Sequence, residues 1–248
     1  MARFYRRSPD QLTAQEIEKY LVYLQRDRRL AWNSCNVARS ALRFLYVEVL
    51  DRPEMVVRIP ERRSERHLPD IWSVEEVKEV VDSAVRPRDH ALLMTAYGGG
   101  FRVSELVALK PCHIESARHM IRVEQGKGRK DRYTILPDRL LAELRAYWKI
   151  CHPKEWVFPG HNPSRPMCTR VAERIFNRAK AKAGMTRGKG IHMLRHCFCT
   201  HMLEAGYDIF EVKEMMGHRS LETTMLYRHV TAKRMAELRS PLDSGLFA

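Results

Sequence analysis

The sequence predicts a mainly α-helical protein with one small β-hairpin, divided into two domains. Apolar residues recur at the three- and four-residue spacing of a helix face along most of the 248 residues. Alternation of apolar and polar residues, which is typical of a strand, is confined to residues 119–137. A stretch rich in proline and arginine, residues 51–69, predicts a linker. We therefore expect a small helical domain over residues 1–66 and a larger domain over residues 67–248.

Two helices are predicted in the N-terminal domain, within residues 11–50. Thr13 and Glu16 have the spacing of a capping box, in which each side chain accepts the backbone N–H of the other residue, so the first helix should begin there. The apolar faces consist of Ile17, Tyr20, Leu21 and Leu24 in the first helix, and of Val37, Ala38, Ala41, Leu42, Leu45, Tyr46 and Val49 in the second.

The larger domain should open with a helix at a second capping box, Ser73 and Glu76. A helix over residues 87–97, the glycine triplet 98–100 and a short helix over 103–109 should follow. Ile121 and Val123 predict one strand of the hairpin and residues 133–136 the other, with a turn over 126–131. Further helices are predicted over residues 138–149, 170–183, 191–205, 208–216, 220–227 and 231–239.

The charge of the chain favours a polyanionic partner. Lys and Arg number 44 against 30 Asp and Glu, giving a formal net charge of +14. Nucleic acid is the commonest polyanion, although a ribosomal-type or merely soluble basic protein has the same charge balance. No run of about 18 apolar residues predicts a membrane span. The basic N-terminus lacks the apolar core of a secretory signal, and six scattered cysteines suggest reduced thiols, so we expect a cytoplasmic protein.

The last third of the chain contains residue types that suit cleavage of a DNA phosphodiester. Such cleavage requires a nucleophile at phosphorus, rigid cationic donors for the non-bridging oxygens and a proton for the leaving 5′ oxygen. Arginine suits the second task because its planar fork grips two phosphate oxygens and stays charged. The candidates are Arg102 after the glycine triplet, Lys127 between two glycines, His192 and Arg195 on one helix face, His218 after Gly217, and Tyr227.

The strings around these residues resemble the tyrosine recombinases, or phage-type integrases, including the Xer-like members. Residues 100–106 (GFRVSEL) resemble the first-arginine box of that family, and residues 125–132 (QGKGRKDR) resemble its catalytic-lysine hairpin. Residues 192–206 resemble the second-arginine helix, and residues 216–220 and 223–230 resemble the third box and the nucleophile segment. The boxes occur in the family order over residues 69–230, which makes the resemblance highly specific.

The resemblance implies a role for each candidate. Tyr227 would attack the scissile phosphate and form a 3′-phosphotyrosine, while Arg102, Arg195 and His218 hold the non-bridging oxygens. Lys127 would protonate the leaving 5′ hydroxyl, His192 would assist proton transfer, and Glu105 would position Arg102. The resemblance also implies double-stranded DNA as the partner, a homotetramer on two DNA sites, no membrane, no cofactor and no metal.

The family places a helical domain before the catalytic domain, and the two clamp the duplex. Residues 1–66 predict only two helices where the family commonly has four or more, so we expect a shortened clamp. The expected DNA contacts are basic residues of the interhelical loop, the linker and the hairpin, namely Arg26, Arg28, Arg29, Arg62, Arg63, Arg129, Lys130 and Arg132.

Parts of this sequence pattern allow three other interpretations. A relaxase like the type IB topoisomerases would share the nucleophile and the cations but relax supercoils as a monomer. A non-catalytic DNA-binding accessory of the same fold would keep the basic surface alone. The histidines and cysteines of residues 192–201 could suggest a metal, but Cys197 and Cys199 are two positions apart on a helix and point to different faces, so packing thiols are the better interpretation.

Overall fold

A computed structural model describes residues 1–55, 71–124 and 131–217, and the chain divides into two compact units, Met1–His67 and Leu68–Ala248. The predicted mainly helical fold with a small sheet is confirmed. The helices are α1 (Ala2–Tyr5), α2 (Ala14–Arg26), α3 (Trp32–Arg43), α4 (Val74–Asp82), α5 (Pro87–Gly98), α6 (Val103–Val107), α7 (Asp138–Cys151), α8 (Thr169–Lys182), α9 (His192–Glu204) and α10 (Ile209–Met216). The strands are β1 (Ile114–Glu115), β2 (Met120–Val123) and β3 (Arg132–Ile135).

The first unit is built on the two predicted helices, α2 and α3. The capping box at the start of α2 is confirmed, because the Thr13 N–H donates to Glu16 Oε2 at 2.9 Å and the Glu16 N–H donates to Thr13 Oγ1 at 3.3 Å. A π-helical turn, Phe44–Val49, follows α3 directly. The core of this unit is formed by Ile17, Leu21, Leu24, Cys35, Tyr46 and Met55. The predicted apolar face of the second helix is confirmed only in part, because Val37, Ala41 and Val49 are exposed.

The four-residue helix α1 was not predicted. Four residues are too few to show a helical period, so the sequence gives no signal for it. The Tyr5 hydroxyl at its end donates to the Glu16 carbonyl oxygen at 2.7 Å, which fastens α1 to α2.

The second unit packs its helices around α5, which contacts α4, α6, α7, α8 and α9. Its central residues Leu92 and Leu93 are fully buried. Trp72, also fully buried, stacks on Phe176 of α8 with ring centroids 5.7 Å apart. The capping box at the start of α4 is confirmed by the Ser73 N–H, which donates to Glu76 Oε2 at 2.8 Å.

The small sheet has the order β1-β2-β3 with both pairs antiparallel. Ile121 pairs with Thr134 and Val123 pairs with Arg132, so the two predicted strands of the hairpin are confirmed. Ile121 and Val123 are buried, as their alternation with polar residues predicts. Strand β1 was not predicted, because two residues cannot show a two-residue period.

Helices α9 and α10 share a second apolar cluster, which fixes the end of α10 against α9. Phe198 and Leu203 of α9 pack with Val212 and Met216 of α10. Cys197 and Cys199 are buried, and burial raises the pKa of these thiols to about 11 and about 12, which fits packing. Among the described residues, no three His, Cys, Asp or Glu side chains are grouped to hold a metal.

Several predictions from the sequence concern residues that are not described. These are most of the linker, the hairpin turn, and the helices over residues 220–227 and 231–239, which lie within 56–70, 125–130 and 218–248. In the part of the chain that is described, no helix has both the length and the apolar character needed to cross a bilayer.

Candidate active site

Three of the six predicted catalytic residues and the predicted supporting residue, Glu105, lie within the described ranges, and they cluster in the second unit. Arg102 and Glu105 come from the start of α6, and His192 and Arg195 come from the first turn of α9. Arg195 and His192 both lie within electrostatic range of Arg102 and Glu105. Lys127, His218 and Tyr227 lie outside the described residues.

Two hydrogen bonds join Arg102 and Glu105 at the start of α6. The backbone N–H of Arg102 donates to Glu105 Oε2 at 2.9 Å, and the Arg102 guanidinium donates to Glu105 Oε1 at 2.8 Å. The carboxylate therefore caps the helix and orients the arginine at the same time. This is the contact that a residue positioning Arg102 should make.

Gly100 allows the chain to pass close to α9 just before Arg102. Its φ of 61° lies in the left-handed region that glycine adopts without strain. A Cβ atom at this position would collide with the ring of Phe198. The close approach brings the Gly100 carbonyl oxygen to Arg195, whose guanidinium donates to it at 2.5 Å.

The Arg195 side chain is only 2% exposed. Its second guanidinium bond is to the Met216 carbonyl oxygen, and its distance to Glu105 Oε2 is 3.8 Å. Burial, helped by the positive charge of Arg102, lowers the pKa of Arg195 to about 9. The two carbonyl bonds use two of its five N–H donors and fix the plane of the guanidinium.

Arg132 was predicted to contact DNA, but the structure turns its side chain into the protein. Its NH1 and NH2 groups donate to the two oxygens of Glu105, each at 2.8 Å. Its Nε donates to the Met215 carbonyl oxygen, also at 2.8 Å, and the side chain is 10% exposed. The position of Arg132 therefore does not support a contact with DNA.

The last turn of α10 accepts one bond from each of these three arginines. The bonds run from Arg132 to Met215 at 2.8 Å, from Arg195 to Met216, and from Arg102 to Gly217 at 3.0 Å. The last carbonyls of a helix lack partners within the helix and carry partial negative charge, so they attract cations. Sequence reasoning missed these acceptors, because backbone oxygens leave no residue-type signal.

Glu105 is the shared carboxylate of the arginine cluster, which we define as Arg102, Arg132 and Arg195. Burial alone would raise the pKa of Glu105, but the hydrogen bonds and charges of Arg132 and Arg102 outweigh it and lower the pKa to about 2. Among the described residues, Glu105 is the one carboxylate that pairs with these three arginines. Three positive charges and one negative charge leave a net charge of plus two in a largely buried site.

His192 is exposed at the start of α9, one turn before Arg195. The surrounding protein atoms, followed by the positive charges of Arg195 and Arg102, lower its pKa below the ordinary value of histidine. The ring of His196 lies across it, with centroids 4.6 Å apart and planes at 83°. A lowered pKa keeps His192 neutral at pH 7, so that it can accept a proton.

His201 fastens α9 to the rest of the second unit. Its Nε2 lies 2.9 Å from the Trp72 carbonyl oxygen, which can only accept, so Nε2 carries the proton. Its Nδ1 lies 2.8 Å from the Tyr97 hydroxyl, and burial raises the pKa of Tyr97 to about 12. These bonds hold in place the helix that carries His192 and Arg195.

The predicted DNA contacts are partly described. Arg26, Arg28 and Arg29 are exposed at the end of α2 and in the loop after it, in the first unit. Arg62, Arg63, Arg129 and Lys130 lie outside the described residues.

Gly217→Ala should destabilise the protein more than Gly184→Ala does. Both glycines have positive φ, 59° and 70°, so either alanine costs about 1–2 kcal/mol of backbone strain. A Cβ at Gly217 would also lie 2.8 Å from Arg132 Cδ, whereas a Cβ at Gly184 would meet nothing within 4 Å. Urea unfolding of the two variants measures the difference. Equal losses in free energy of unfolding would contradict the close contact with Arg132.

The sequence matches two family profiles in the expected order. Residues 73–234 match the phage integrase family, and residues 1–54 match the N-terminal SAM-like domain of phage integrases. The first match alone covers more than half of the chain. The chain belongs to the phage integrase family. This membership confirms the predicted enzyme class of the integrase, a tyrosine-type site-specific DNA recombinase.

Individual relatives agree with the family assignment. The integrase is 38% identical over 245 residues to the Sinorhizobium fredii protein y4qK, named provisionally as an integrase/recombinase, covering 98% of this chain and 79% of that protein. It is 33% identical over 230 residues to the tyrosine recombinase XerA of Pyrococcus furiosus, covering 91% of this chain and 79% of XerA.

Solved structures share the fold. A crystal structure of a XerA recombinase is 29% identical and superposes with a TM-score of 0.62, over 95% of this chain and 85% of that one. XerH site-specific recombinase bound to a palindromic difH substrate, in a post-cleavage complex, superposes with a TM-score of 0.76 over 96% of this chain and 73% of that one. At 21% identity the XerH likeness shows the fold alone.

Proposed function

We propose that the integrase cuts and rejoins DNA at specific sites through a covalent 3′-phosphotyrosine on Tyr227. The observation that carries this proposal is the net charge of plus two left by the arginine cluster and Glu105. Positive charge that is shielded from water and exceeds the carboxylate charge paired with it among the described residues is costly, so such a site favours an anionic ligand. A DNA phosphate, whose negative charge spreads over its oxygens during attack, matches the planar donors of Arg102 and Arg195.

The reaction assigns one task to each group. His192 accepts the Tyr227 proton, the tyrosine oxygen forms a bond to phosphorus, and the bond from phosphorus to the 5′ oxygen breaks. Lys127 protonates that oxygen, while Arg102, Arg195 and His218 stabilise the non-bridging oxygens. A 5′ hydroxyl of another strand then attacks the phosphotyrosine and releases Tyr227. The covalent bond conserves the energy of the phosphodiester, so no nucleotide cofactor is required.

Arg195 is shielded from solvent while its guanidinium is already oriented. Because the side chain is 2% exposed, a phosphate can reach it only if the covering atoms move when DNA binds. The carbonyls of Gly100 and Met216 keep the guanidinium in place before that movement. The donors are thus held in advance, which reduces the cost of ordering them in the transition state.

DNA binding, subunit assembly and cellular location complete the proposed function of the integrase. The SAM-like first unit and the second unit are both proposed to bind double-stranded DNA, with Arg26, Arg28 and Arg29 among the contacts of the first unit. Two DNA sites each need two cuts, so the active assembly is proposed to be a tetramer. A solved XerH structure is bound to a palindromic difH substrate, and a solved Tn1549 transposon integrase structure is in complex with a circular intermediate DNA. The cytoplasm is the proposed location.

Covalent trapping tests the proposed function. The substrates are nicked duplexes of randomised sequence. When the enzyme cleaves such a duplex near the nick, the short fragment needed for religation dissociates. The enzyme then remains covalently attached to the DNA and can be seen on a denaturing gel. We expect a shifted protein–DNA band whose trapped ends share a sequence. The absence of any covalent band at high enzyme concentration would favour a non-catalytic accessory.

Strand exchange separates a recombinase from a relaxase. Two trapped sequences placed on one supercoiled plasmid should yield recombined products with exchanged flanks. Relaxation of the plasmid without exchanged flanks would support the topoisomerase-like alternative.

Binding of the integrase to DNA should weaken steeply with salt. Each phosphate that Lys or Arg neutralises releases counterions, so the logarithm of the binding constant should fall linearly with the logarithm of salt concentration, with a slope of about −0.9 per phosphate contacted. Fluorescence anisotropy of a labelled duplex between about 50 and 200 mM salt measures the slope. A flat response would contradict the assignment of the basic surfaces to DNA.

A further inference from the structure

We propose that Arg132 is a positioning residue that ties Glu105 and the last turn of α10 to the sheet, and so holds Arg102 and Arg195 in their reactive arrangement. The inference rests on the proposed cleavage reaction and adds a residue to it. Arg132 does not touch the phosphate in this proposal. It acts through Glu105 and through the carbonyl groups at the end of α10.

The hydrogen bonds of Arg132 join three separate segments of the chain. Arg132 begins β3, two residues after the segment 125–130 that contains Lys127. Its two terminal nitrogens donate to the carboxylate of Glu105, and its Nε donates to Met215, three residues before His218. A bidentate arginine–carboxylate pair fixes distance and plane together, which a single hydrogen bond does not.

The packing of the Arg132 stem adds a second constraint. Gly217, with its left-handed φ of 59°, leaves room for the stem, and a Cβ there would lie 2.8 Å from Arg132 Cδ. Gly217 also supplies the carbonyl that accepts from Arg102 at 3.0 Å. The turn that ends α10 is therefore shaped around Arg132 and holds Arg102 at the same time.

Arg132 also keeps Glu105 ionised. Among the described residues, the charged and titratable groups facing Glu105 are Arg102 from α6, Arg132 from β3, and Arg195 and His192 from α9. Burial favours the protonated carboxyl, and the hydrogen bonds and charge of Arg132 are the largest opposing influence. Without Arg132 the pKa of Glu105 should rise from about 2, and a protonated Glu105 would no longer balance or orient Arg102 and Arg195.

The test measures single-turnover formation of the covalent adduct on saturating nicked duplex from pH 5.5 to 8.5. For Arg132→Gln we expect a rate at least about tenfold below wild type at pH 8, because the transition-state donors lose their alignment. The ratio of variant to wild-type rate should fall further as pH decreases, since Glu105 becomes protonated. Dividing by the wild-type rate removes the pH dependence that both proteins share.

Two further variants, Arg132→Lys and Arg122→Gln, show whether the effect is specific to the guanidinium of Arg132. Lysine keeps the positive charge without the fork, so Arg132→Lys should restore a pH-independent ratio while its rate stays below wild type. Arg122 lies on the neighbouring strand β2, where its guanidinium donates to Glu124 at 3.0 Å. Arg122→Gln is the matched control and should remain within about twofold of wild type, as is usual for a surface change.

Two outcomes for a folded Arg132→Gln protein would overturn the inference without affecting the proposed function. One is a ratio for Arg132→Gln that stays constant with pH, as a general loss of packing would produce. The other is an unchanged cleavage rate with a salt slope of binding reduced by about one phosphate contact, which would make Arg132 a DNA contact. If Arg132→Gln fails to fold in circular dichroism, Arg132→Lys decides, and a wild-type rate in that variant would overturn the inference. Failure of wild-type protein to form any adduct would instead contradict the proposed function.

Discussion

Arg195→Lys should lower the rate of covalent adduct formation by about 100- to 1,000-fold, the usual effect of removing a donor aimed at transition-state charge. Lysine keeps one positive charge but cannot donate to the Gly100 and Met216 carbonyls and to a phosphate oxygen in one plane. Binding to DNA should change by less than about threefold, since many cations share the phosphate contacts. Single-turnover cleavage of a trapped duplex sequence and anisotropy titration measure the two effects.

Arg178→Lys is the matched control for this change. Arg178 is exposed on α8, so the same substitution there should leave cleavage within about twofold of wild type. Thermal unfolding of Arg195→Lys is needed beside the rates, because the side chain is buried. A folded Arg195→Lys protein that cleaves at the wild-type rate would contradict the assigned role.

Tyr227→Phe should abolish covalent adduct formation altogether. Phenylalanine fills nearly the same volume but has no hydroxyl oxygen to bond to phosphorus, so neither the phosphotyrosine nor the exchanged strand can form. DNA affinity should remain within about twofold, because one hydroxyl contributes little beside many phosphate contacts. Denaturing gels with nicked duplex and anisotropy with intact duplex measure the two quantities.

Tyr207→Phe is the control that shows whether removing another tyrosine hydroxyl also affects adduct formation. Tyr207 is half exposed, three residues after the end of α9, and its hydroxyl has no assigned part in the reaction. This variant should form the adduct at the wild-type rate. An adduct that persists in Tyr227→Phe would assign the nucleophile to another residue.

Local chemistry explains why much of the fold could be predicted. Capping boxes need only residues three positions apart, and both predicted boxes, at Thr13 and Ser73, form as expected. The alternation at Ile121 and Val123 likewise reports a strand with one buried face. The bounds of α8, predicted as 170–183 and found at Thr169–Lys182, differ by one residue at each end.

The arginine cluster depends on contacts between distant segments, and sequence spacing does not report those. The basic string 127–132 predicted that Arg132 contacts DNA. The Arg132 side chain instead donates to Glu105 and Met215, which lie 27 and 83 residues away in the sequence. The carbonyl acceptors of Gly100, Met216 and Gly217 belong to the backbone, so no side chain marks them. The capping glycine before His218 predicted the end of α10 but not the arginines gathered there.

The integrase's central chemical step is most directly tested by mapping the covalent adduct. Wild-type protein trapped on a nicked duplex would be digested with trypsin and nuclease, and the modified peptide sequenced by mass spectrometry. We expect a phosphodiester between the Tyr227 oxygen and the 3′ end of the cleaved strand, with a free 5′ hydroxyl on the other fragment. A nucleotide attached to any other residue, or attached through its 5′ phosphate, would contradict it.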